Sequence, residues 1–289
     1  GGRHIRKATA TDRVADFAYL VMVHDQPEAL SPLIEALEAD GDLIVIHVDA
    51  TAAPAVHEAA TELASSSRAV HVLPAEPVRW GGWSQVRVQL RGLAAALDLD
   101  RTWRWCINLS GRDFPLTTRA ERLAHFEASP DVEWIVARPI DTHPPAVRRR
   151  VQRVYLHIGH RPWPTPLPLP ARVGPRHWYK GSSWWMLTRT CCAWLLVDRG
   201  ARRLRRVCRV TANPDEQYFQ TAIMQGPFAA RIADRRARLD VWEPGAPHPR
   251  VLTEDDWALL RQSECLFARK FDRTIDAAIL DRLRQHLGS

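Results

Sequence analysis

The first half of the chain alternates short apolar runs with longer amphipathic segments. The apolar runs lie at 17–23, 43–48, 70–73 and 105–109. Their length and their content of Val, Ile and Leu are typical of buried strands in a parallel sheet. Helical spacing is carried by Leu30, Leu33, Ile34 and Leu37, by a segment at about 54–64, and by Val86, Leu90, Leu93 and Leu97. This alternation predicts an α/β fold in which a mostly parallel, Rossmann-like sheet is flanked by helices.

The second half of the chain is less regular. Six prolines between positions 161 and 176 predict an extended surface loop. Regular structure is predicted to resume at 183–187, and helices are predicted around 214–224, 253–263 and 276–287. No shift in composition divides the chain. We therefore predict a single domain over 1–289, with a flexible polar segment at 1–13.

Two aspartates directly follow predicted strands. Asp49 follows the second strand, and Asp113 follows the fourth after a Ser-Gly-Arg turn. The carboxyl ends of parallel strands share one edge of a sheet, and ligands of such folds bind outside that edge. The sequence therefore predicts a site there.

Composition narrows the possible functions. With 289 residues, 46% of them hydrophobic and 25% charged, the chain can bury a core. Its net charge of +7 fits an anionic ligand, whether nucleic acid, a membrane surface or a phosphate-bearing small molecule. No apolar run reaches the roughly 20 residues that a membrane span needs, so we expect no integral membrane segment. The five cysteines show no metal-ligand spacing, which predicts reduced thiols in a cytoplasmic protein.

Three motifs of other enzyme classes occur in unfavourable contexts. The HIGH tetrapeptide at 157–160 is a signature of class I aminoacyl-tRNA synthetases, but it lies mid-chain without a downstream lysine loop. Asp98-Leu99-Asp100 spells the DxD metal motif of many glycosyltransferases, but it lies between a helix end and a strand start, where a solvated turn is expected. The arginine runs at 148–150, 202–206 and 235–238 lack interleaved aromatic residues and favour solvated faces.

Three short segments are distinguished by glycine, tryptophan or carboxylate residues. Arg79–Ser84 (RWGGWS) fits a sugar-stacking site or a glycine turn between packing tryptophans, with Ser84 as a helix N-cap. Asn108–Leu116 (NLSGRDFPL) places Asp113 after a strand, where it serves a ligand or caps a turn. Pro214–Glu216 opens a helix, where the dipole favours acids whether or not they react. From the residues alone, both interpretations stay open for each segment.

Two further segments complete an ordered set, namely 181–189 (GSSWWMLTR) and a tail containing 249–252 (PRVL) and 266–272 (LFARKFD). In this order the segments resemble the core-2/I-branching N-acetylglucosaminyltransferase and peptide O-xylosyltransferase family, glycosyltransferase family 14, over about 17–287. Their forms are closer to the xylosyltransferase side and its bacterial relatives. The resemblance implies a GT-A fold and a metal-independent, inverting transfer of xylose or N-acetylglucosamine from a UDP-sugar to an acceptor hydroxyl, with a β-linkage as product.

The resemblance also implies roles for individual residues. Glu216 matches the family's glutamate base, and Asp113 is its rival. Arg250 and Lys270 match a basic pair that neutralises the leaving diphosphate in place of a metal ion. We expect the nucleoside at His24, Asp49 and Arg79, and the donor or acceptor sugar at Trp80, Gly81, Ser110, Trp184 and Trp185.

The acceptor is the least defined part of this hypothesis. The segment 138–180, where acceptor recognition is expected, matches no pattern, so a carbohydrate, a peptide and a small molecule stay open. One alternative is a non-catalytic protein that binds a nucleotide sugar or glycan on the same fold, although binding alone needs no base such as Glu216. The other is a nucleic-acid-acting enzyme, which rests on charge and the HIGH tetrapeptide and predicts steeply salt-dependent polyanion binding. We expect no nucleic-acid partner.

Overall fold

The computed structural model describes residues 15–38, 42–159, 161–170, 174–246 and 248–288. The segment 1–13, predicted to be flexible, lies outside these residues. So do His160 of the HIGH tetrapeptide and residues 171–173 of the proline-rich segment.

Strands and helices alternate through the first half of the chain, as the apolar pattern predicts. The strands are β1 (Phe17–Val23), β2 (Leu43–Val48), β3 (Val70–Val72), β4 (Trp105–Ser110), β5 (Asp113–Pro115), β6 (Arg138–Pro139), β7 (Arg153–Ile158), β8 (Arg161–Pro168), β9 (Tyr179–Lys180), β10 (Met186–Thr188), β11 (Arg238–Asp240) and β12 (Phe267–Arg269). The α-helices are α1 (Pro27–Glu38), α2 (Pro54–Ser66), α3 (Trp83–Leu99), α4 (Arg119–Glu127), α5 (Pro145–Gln152), α6 (Arg189–Val197), α7 (Arg199–Cys208), α8 (Tyr218–Met224), α9 (Trp257–Gln262) and α10 (Ala278–Gly288).

The main sheet has the order β10-β4-β1-β2-β3. β1 pairs in parallel with β2 and β4, and β2 pairs in parallel with β3, whereas β10 runs antiparallel along β4. Every residue of β2 and β4 is buried, which explains why these strands are apolar runs without strict alternation. The arrangement confirms the predicted α/β class with a mostly parallel sheet, and it is consistent with a GT-A-like fold.

Helices cover both faces of this sheet. The odd positions of β1, such as Phe17 and Tyr19, pack into a core formed with α1, α2, α4, α9 and α10. The even positions, such as Ala18 and Leu20, pack into a second core formed with α3, α6, α7 and α8. Because successive side chains of a strand point to opposite faces, one strand contributes to both cores.

A small second sheet joins the end of the chain to the turn after β4. Its order is β11-β12-β5, with Arg269 of β12 opposite Asp113 of β5. The N–H of Phe271 donates to the carbonyl of Arg112 at 3.0 Å. The tail segment 266–272 therefore lies against the turn that follows the fourth strand, at the edge where ligands bind.

Two predictions of local structure are wrong. Residues 161–168 form β8, paired antiparallel with β7, rather than a loop. Proline has no backbone N–H to donate. In β8 the prolines stand at every second position, and in a two-stranded ladder only every second residue directs its N–H toward the partner strand. The missing N–H groups therefore fit the free edge of β8. Ser84 is not an N-cap, because α3 begins one residue before it and Gly82 holds the cap position. The Ser84 hydroxyl instead accepts a hydrogen bond from the Arg79 N–H at 2.7 Å.

Candidate functional site

A cleft of about 790 Å³ opens beyond the carboxyl ends of β1, β2 and β4. Its volume lies in the range of pockets that hold whole small ligands. The predicted site residues in its wall are His24, Asp49, Trp80, Ser110, Trp184, Glu216 and Lys270. The predicted site residues outside its wall are Arg79, Gly81, Asp113, Trp185 and Arg250.

The ends of β1 and β2 form one side of the cleft. The Asp49 carboxylate is mostly buried and accepts hydrogen bonds from Thr51 and, at 3.2 Å, from the N–H of Val78. His24 is exposed, with Nε2 at 3.3 Å from Asp25. His47, which sequence analysis missed, also lines the cleft, and burial lowers its pKa to about 4. A neutral imidazole therefore faces this side at neutral pH.

Asp113 lies behind the wall rather than in it. One of its oxygens accepts from the Ser110 hydroxyl at 2.6 Å, and the other lies 3.2 Å from Nε of Arg238. Both Asp113 and Arg238 are almost fully buried, and burial lowers the pKa of Arg238 to about 10. A buried carboxylate matched by a buried cation is held in place, so Asp113 here positions Ser110 instead of facing the cleft.

Two adjacent cations of the tail, Arg269 and Lys270, line the cleft and are called the cation pair below. Neither makes an ion pair with any residue that the structure describes. Burial lowers the pKa of Lys270, and the neighbouring Arg112 and Arg269 lower it further. Arg112 itself is matched by Asp25 and by Asp272, whose Oδ2 lies 3.0 Å from Nη1. Within the described ranges, the cation pair is therefore positive charge that no direct ion pair neutralises.

Arg250 is near the cation pair in the fold but is engaged elsewhere. The N–H of Leu252 donates to the Lys270 carbonyl at 2.8 Å, which brings the two segments together. The Arg250 guanidinium binds Asp256 with two hydrogen bonds, one of them 2.7 Å long. Asp256 also accepts from the Thr253 N–H at 2.9 Å. Arg250 therefore faces a carboxylate at a helix start rather than the cleft.

Glu216 also lines the cleft, in a short 3₁₀ helix formed by Pro214–Glu216. Its Oε2 lies 2.9 Å from Nη1 of Arg150 and 3.1 Å from Nζ of Lys180. Its Oε1 accepts no hydrogen bond from the described part of the chain. Glu216, Asp215, Arg150 and Lys180 are called the carboxylate cluster below. Two cations fix one oxygen of Glu216 and leave the other available.

Asp215 is the most deeply buried member of the carboxylate cluster. Its Oδ2 accepts from the Ser183 hydroxyl, and its Oδ1 finds no hydrogen-bond donor among the described residues. Burial, with help from the negative charge of Glu216, raises the pKa of Asp215 to about 6. The two neighbouring carboxyl groups thus have different surroundings: Asp215 is buried away from water, whereas Glu216 is held by two cations.

The two tryptophans of the GSSWWMLTR segment face different environments. Trp184 lines the cleft, and the guanidinium carbons of Arg238 and Arg269 each lie 4.4 Å from its ring centroid. Trp185 is buried in the core, where its indole N–H donates to Gln89 at 3.0 Å. Its position does not support the predicted place in the sugar pocket, because neighbouring residues of an extended chain point to opposite sides.

The RWGGWS segment reaches the cleft only through Trp80, which is 55% exposed and packs edge-on against His248. Gly81 has a φ of +68°, so a side chain here would strain the turn. Arg79 does not face the cleft, because its guanidinium donates to the His157 carbonyl at 2.8 Å. The glycine turn therefore serves mainly to connect the cleft to the β7–β8 hairpin.

The motifs of other enzyme classes have structural partners. Asp100 is the C-cap residue that follows α3, and it accepts from the Thr102 N–H at 2.6 Å, as expected of a turn. The His157 ring hydrogen-bonds to the Thr211 carbonyl. Among the described residues, no group of His, Cys, Asp and Glu is arranged to hold a metal ion. None of the described helices combines the length and the apolar character that crossing a membrane requires. All five cysteines are free.

Sequence analysis missed several residues that line the cleft or touch its carboxylates. They are His47, Arg138, His143, Arg150, Lys180, Asp215, Trp242, His248 and Arg269. Asp215 and Arg269 stand inside segments that the sequence singled out, next to Glu216 and Lys270. The others lie outside those segments, and no local pattern distinguishes them.

The chain is similar to known proteins over most of its length. A family model described as "Branch: Core-2/I-Branching enzyme" matches residues 17–264. Xylosyltransferase 2 of Mus musculus is 26% identical over 93% of this chain and 33% of its own length. The beta-1,3-galactosyl-O-glycosyl-glycoprotein beta-1,6-N-acetylglucosaminyltransferase of Bos taurus is 25% identical over 93% of this chain and 69% of its own. The chain thus spans about a third of the length of the xylosyltransferases that it matches.

Proposed function

The chain belongs to the core-2/I-branching enzyme family, and we propose that it is an inverting glycosyltransferase that moves a sugar from a UDP-sugar to an acceptor hydroxyl without a metal ion. The names of its relatives support glycosyl transfer, with xylose and N-acetylglucosamine as candidate donor sugars. The observation that carries the proposal is one cleft with an unmatched cation pair and an anchored carboxylate in its wall.

In this proposal the nucleoside binds at the ends of β1 and β2. Asp49, His24 and the neutral His47 offer hydrogen-bonding groups there, and the cleft is large enough for a nucleotide sugar. Arg79 contributes indirectly, because it ties the glycine turn to the hairpin. Trp80 lies at the mouth of the cleft, where an exposed indole can stack on a sugar ring.

The cation pair receives the diphosphate. Negative charge develops on the leaving UDP in the transition state, and cations already in place stabilise it without reorganisation. Arg269 offers a planar guanidinium, whose orientation is set by contact with Trp184, and Lys270 offers a compact ammonium. Arg250 would have to leave Asp256 to join them, so we propose that it supports the tail instead.

Glu216 is the proposed base. Inversion requires a carboxylate on the side of the sugar opposite the diphosphate, where it takes the proton of the acceptor hydroxyl. Arg150 and Lys180 hold Oε2, which leaves Oε1 for the acceptor. Asp113 is less suited to this role, because both of its oxygens face buried protein groups. The acceptor oxygen then attacks the anomeric carbon as the bond to UDP breaks.

Thermal unfolding and UDP release test the proposal together. In EDTA, we expect UDP, UDP-xylose or UDP-N-acetylglucosamine to raise the melting temperature while GDP and CDP do not. A ligand at 100 times its Kd stabilises the fold by about 2.7 kcal/mol. We also expect UDP release from the UDP-sugar that stabilises most.

Each other outcome contradicts a separate part of the proposal. Stabilisation that requires Mn²⁺ or Mg²⁺ would contradict metal independence. Stabilisation without sugar transfer or UDP release over an acceptor panel would indicate a nucleotide-sugar-binding protein. Absence of both would reject the donor class.

A further inference from the structure

The β7–β8 hairpin presents an apolar face that the described protein does not cover. Leu156 and Trp163 are cross-strand partners, and Ile158 lies two positions after Leu156 on the same face. Leu167 lies further along β8, beyond a shift in the pairing register. Their exposed fractions are 51% for Leu156, 61% for Trp163, 63% for Ile158 and 61% for Leu167. We call these four residues the apolar face of the hairpin. Large apolar side chains grouped in this way mark interaction surfaces.

The opposite face of the hairpin is fixed to the body of the protein. Tyr155 is buried, and its N–H donates to the Val210 carbonyl at 2.8 Å. A Cβ on Gly81 would lie 3.4 Å from Pro162, so the hairpin also packs against the glycine turn. The apolar face is therefore held outward, beside the turn whose Trp80 lines the cleft.

The charge of this part of the chain is one-sided. The 56 residues from 142 to 197 contain nine of the 40 Lys and Arg residues and none of the 33 Asp and Glu residues. Outside this segment, basic and acidic residues almost balance. Exposed arginines adjoin the hairpin: Arg149 lies in the last turn of α5, Arg153 begins β7, and Arg209 precedes Val210. The apolar face is thus accompanied by positive charge that the segment itself does not neutralise.

We propose that the apolar face of the hairpin docks this protein on an anionic membrane surface, with the cleft held beside the lipid headgroups. Tryptophan is enriched at the membrane–water boundary, and aliphatic side chains insert between acyl chains. Arginines near the surface are attracted to anionic headgroups. Nucleic acid would use the charge but not Leu156, Ile158 and Leu167. A second copy of this chain would bring like charges together.

Vesicle co-sedimentation tests this surface directly. We expect the full chain to bind phosphatidylglycerol/phosphatidylcholine vesicles at least tenfold more tightly than pure phosphatidylcholine vesicles, and less tightly as salt rises. The double variant Ile158→Ser/Trp163→Ser should lose roughly tenfold or more in binding. The matched control is Ile275→Ser, because Ile275 is 62% exposed and lies in the C-terminal segment; it should bind like the parent protein.

A second variant separates charge from apolar contact. Arg149→Gln/Arg209→Gln should weaken binding to anionic vesicles and leave binding to neutral vesicles unchanged. Equal binding to both vesicle types, or unchanged binding of the Ile158→Ser/Trp163→Ser variant, would overturn the proposal. So would duplex-DNA binding that outcompetes vesicles, or a dimer in solution that the double variant abolishes.

The glycosyltransferase proposal is tested separately in the same samples. UDP-induced stabilisation reports the cleft, and we expect it unchanged in all of these variants. Loss of vesicle binding with intact UDP stabilisation would leave the donor site standing. Vesicle binding without any UDP stabilisation would support the surface and reject the donor class.

Discussion

The cation pair and the carboxylate cluster face the same cleft, but they differ in whether their charges have ion-pair partners in the described part of the protein. Arg269 and Lys270 have no ion-pair partner in the described part of the chain, although burial already lowers the pKa of Lys270. In the carboxylate cluster, by contrast, Arg150 and Lys180 both bind one oxygen of Glu216. Partly buried charge without a partner is unfavourable until a ligand supplies one. The first region is therefore suited to an anionic ligand, and the second holds a carboxylate in position.

Removing the carboxylate should have the largest effect on activity. Glu216→Gln keeps the shape of the side chain but cannot accept the acceptor's proton. We expect kcat for sugar transfer to fall about 10²- to 10⁴-fold, the usual contribution of general base catalysis. UDP-induced stabilisation should be unchanged, because the proposed diphosphate site is the cation pair. The measurements are initial rates of sugar transfer and thermal unfolding with UDP.

The control is Glu264→Gln, which changes the same atoms at an exposed position and should leave the rate unchanged. Full activity of Glu216→Gln would remove Glu216 as the base and return Asp113 to consideration. Asp113→Asn would then have to lose activity while keeping its melting temperature.

Removing a cation should have the next largest effect, and unlike removal of the carboxylate it should reduce UDP binding as well as the rate. Lys270→Ala and Arg269→Ala should each lower kcat/KM by about 10²- to 10³-fold, because each removes charge stabilisation of the leaving diphosphate. Both variants should also lose most of the UDP-induced stabilisation that Glu216→Gln retains. Arg202→Ala, on the exposed side of α7, is the control. Rates close to those of the parent protein would contradict the proposed replacement of a metal ion by these residues.

Arg250 tests whether the tail contributes a third cation. Because its guanidinium is bound to Asp256, we expect Arg250→Ala to lower activity less than tenfold and to lower the melting temperature by breaking that pair. Initial rates and thermal unfolding of the variant check this. A loss as large as that of Lys270→Ala, at an unchanged melting temperature, would show that Arg250 leaves Asp256 to bind the diphosphate.

The fold follows closely from local pattern. The first strand occupies 17–23 as its apolar run predicts, and a strand covered on both faces leaves little alternative for such a run. β8 escaped prediction because alternating proline suggests an extended loop unless the pairing strand is known. In the Trp184-Trp185 doublet the sequence indicates aromatic residues, but only the packing of the sheet decides which ring faces the cleft.

The charges around Glu216 could not be predicted for a related reason. Arg150 lies 66 positions before Glu216, and their contact depends on how α5 and the 3₁₀ helix pack. Similarly, the buried pair of Asp113 with Arg238 joins β5 to β11. The sequence motif located a carboxylate after a strand, but the partner that removes it from the cleft comes from a distant segment. Contacts of this kind leave no local signal.

Lys180 sharpens the comparison, because it should act through Glu216 rather than on the donor. We expect Lys180→Gln to lower kcat about tenfold, since Glu216 loses one of the two cations that hold Oε2, and to leave KM for the UDP-sugar unchanged. Lys180→Arg should restore most of the rate. Steady-state kinetics of the two variants check this. A raised donor KM, or no rescue by arginine, would place Lys180 in substrate binding instead.

Asp215 gives the smallest effect, and it is visible in stability rather than in rate. Its pKa is raised to about 6 by burial and by Glu216, so the folded state binds its proton more tightly than the unfolded state does. Its contribution to the free energy of unfolding should therefore be full below pH 4, fall as pH rises through 4 to 6, and be lost above that, by roughly 2–3 kcal/mol in all.

His47, with its pKa lowered to about 4, acts in the opposite direction in the same range, so the parent curve alone does not isolate either group. The difference between the parent protein and Asp215→Asn does isolate it, because His47 is common to both. Denaturant unfolding at pH 4 to 7 should show the parent losing stability relative to the variant as pH rises. A difference that is flat with pH would mean that Asp215 is solvated or paired in solution. The Asp215 carboxylate would then not be an unmatched charge within the carboxylate cluster.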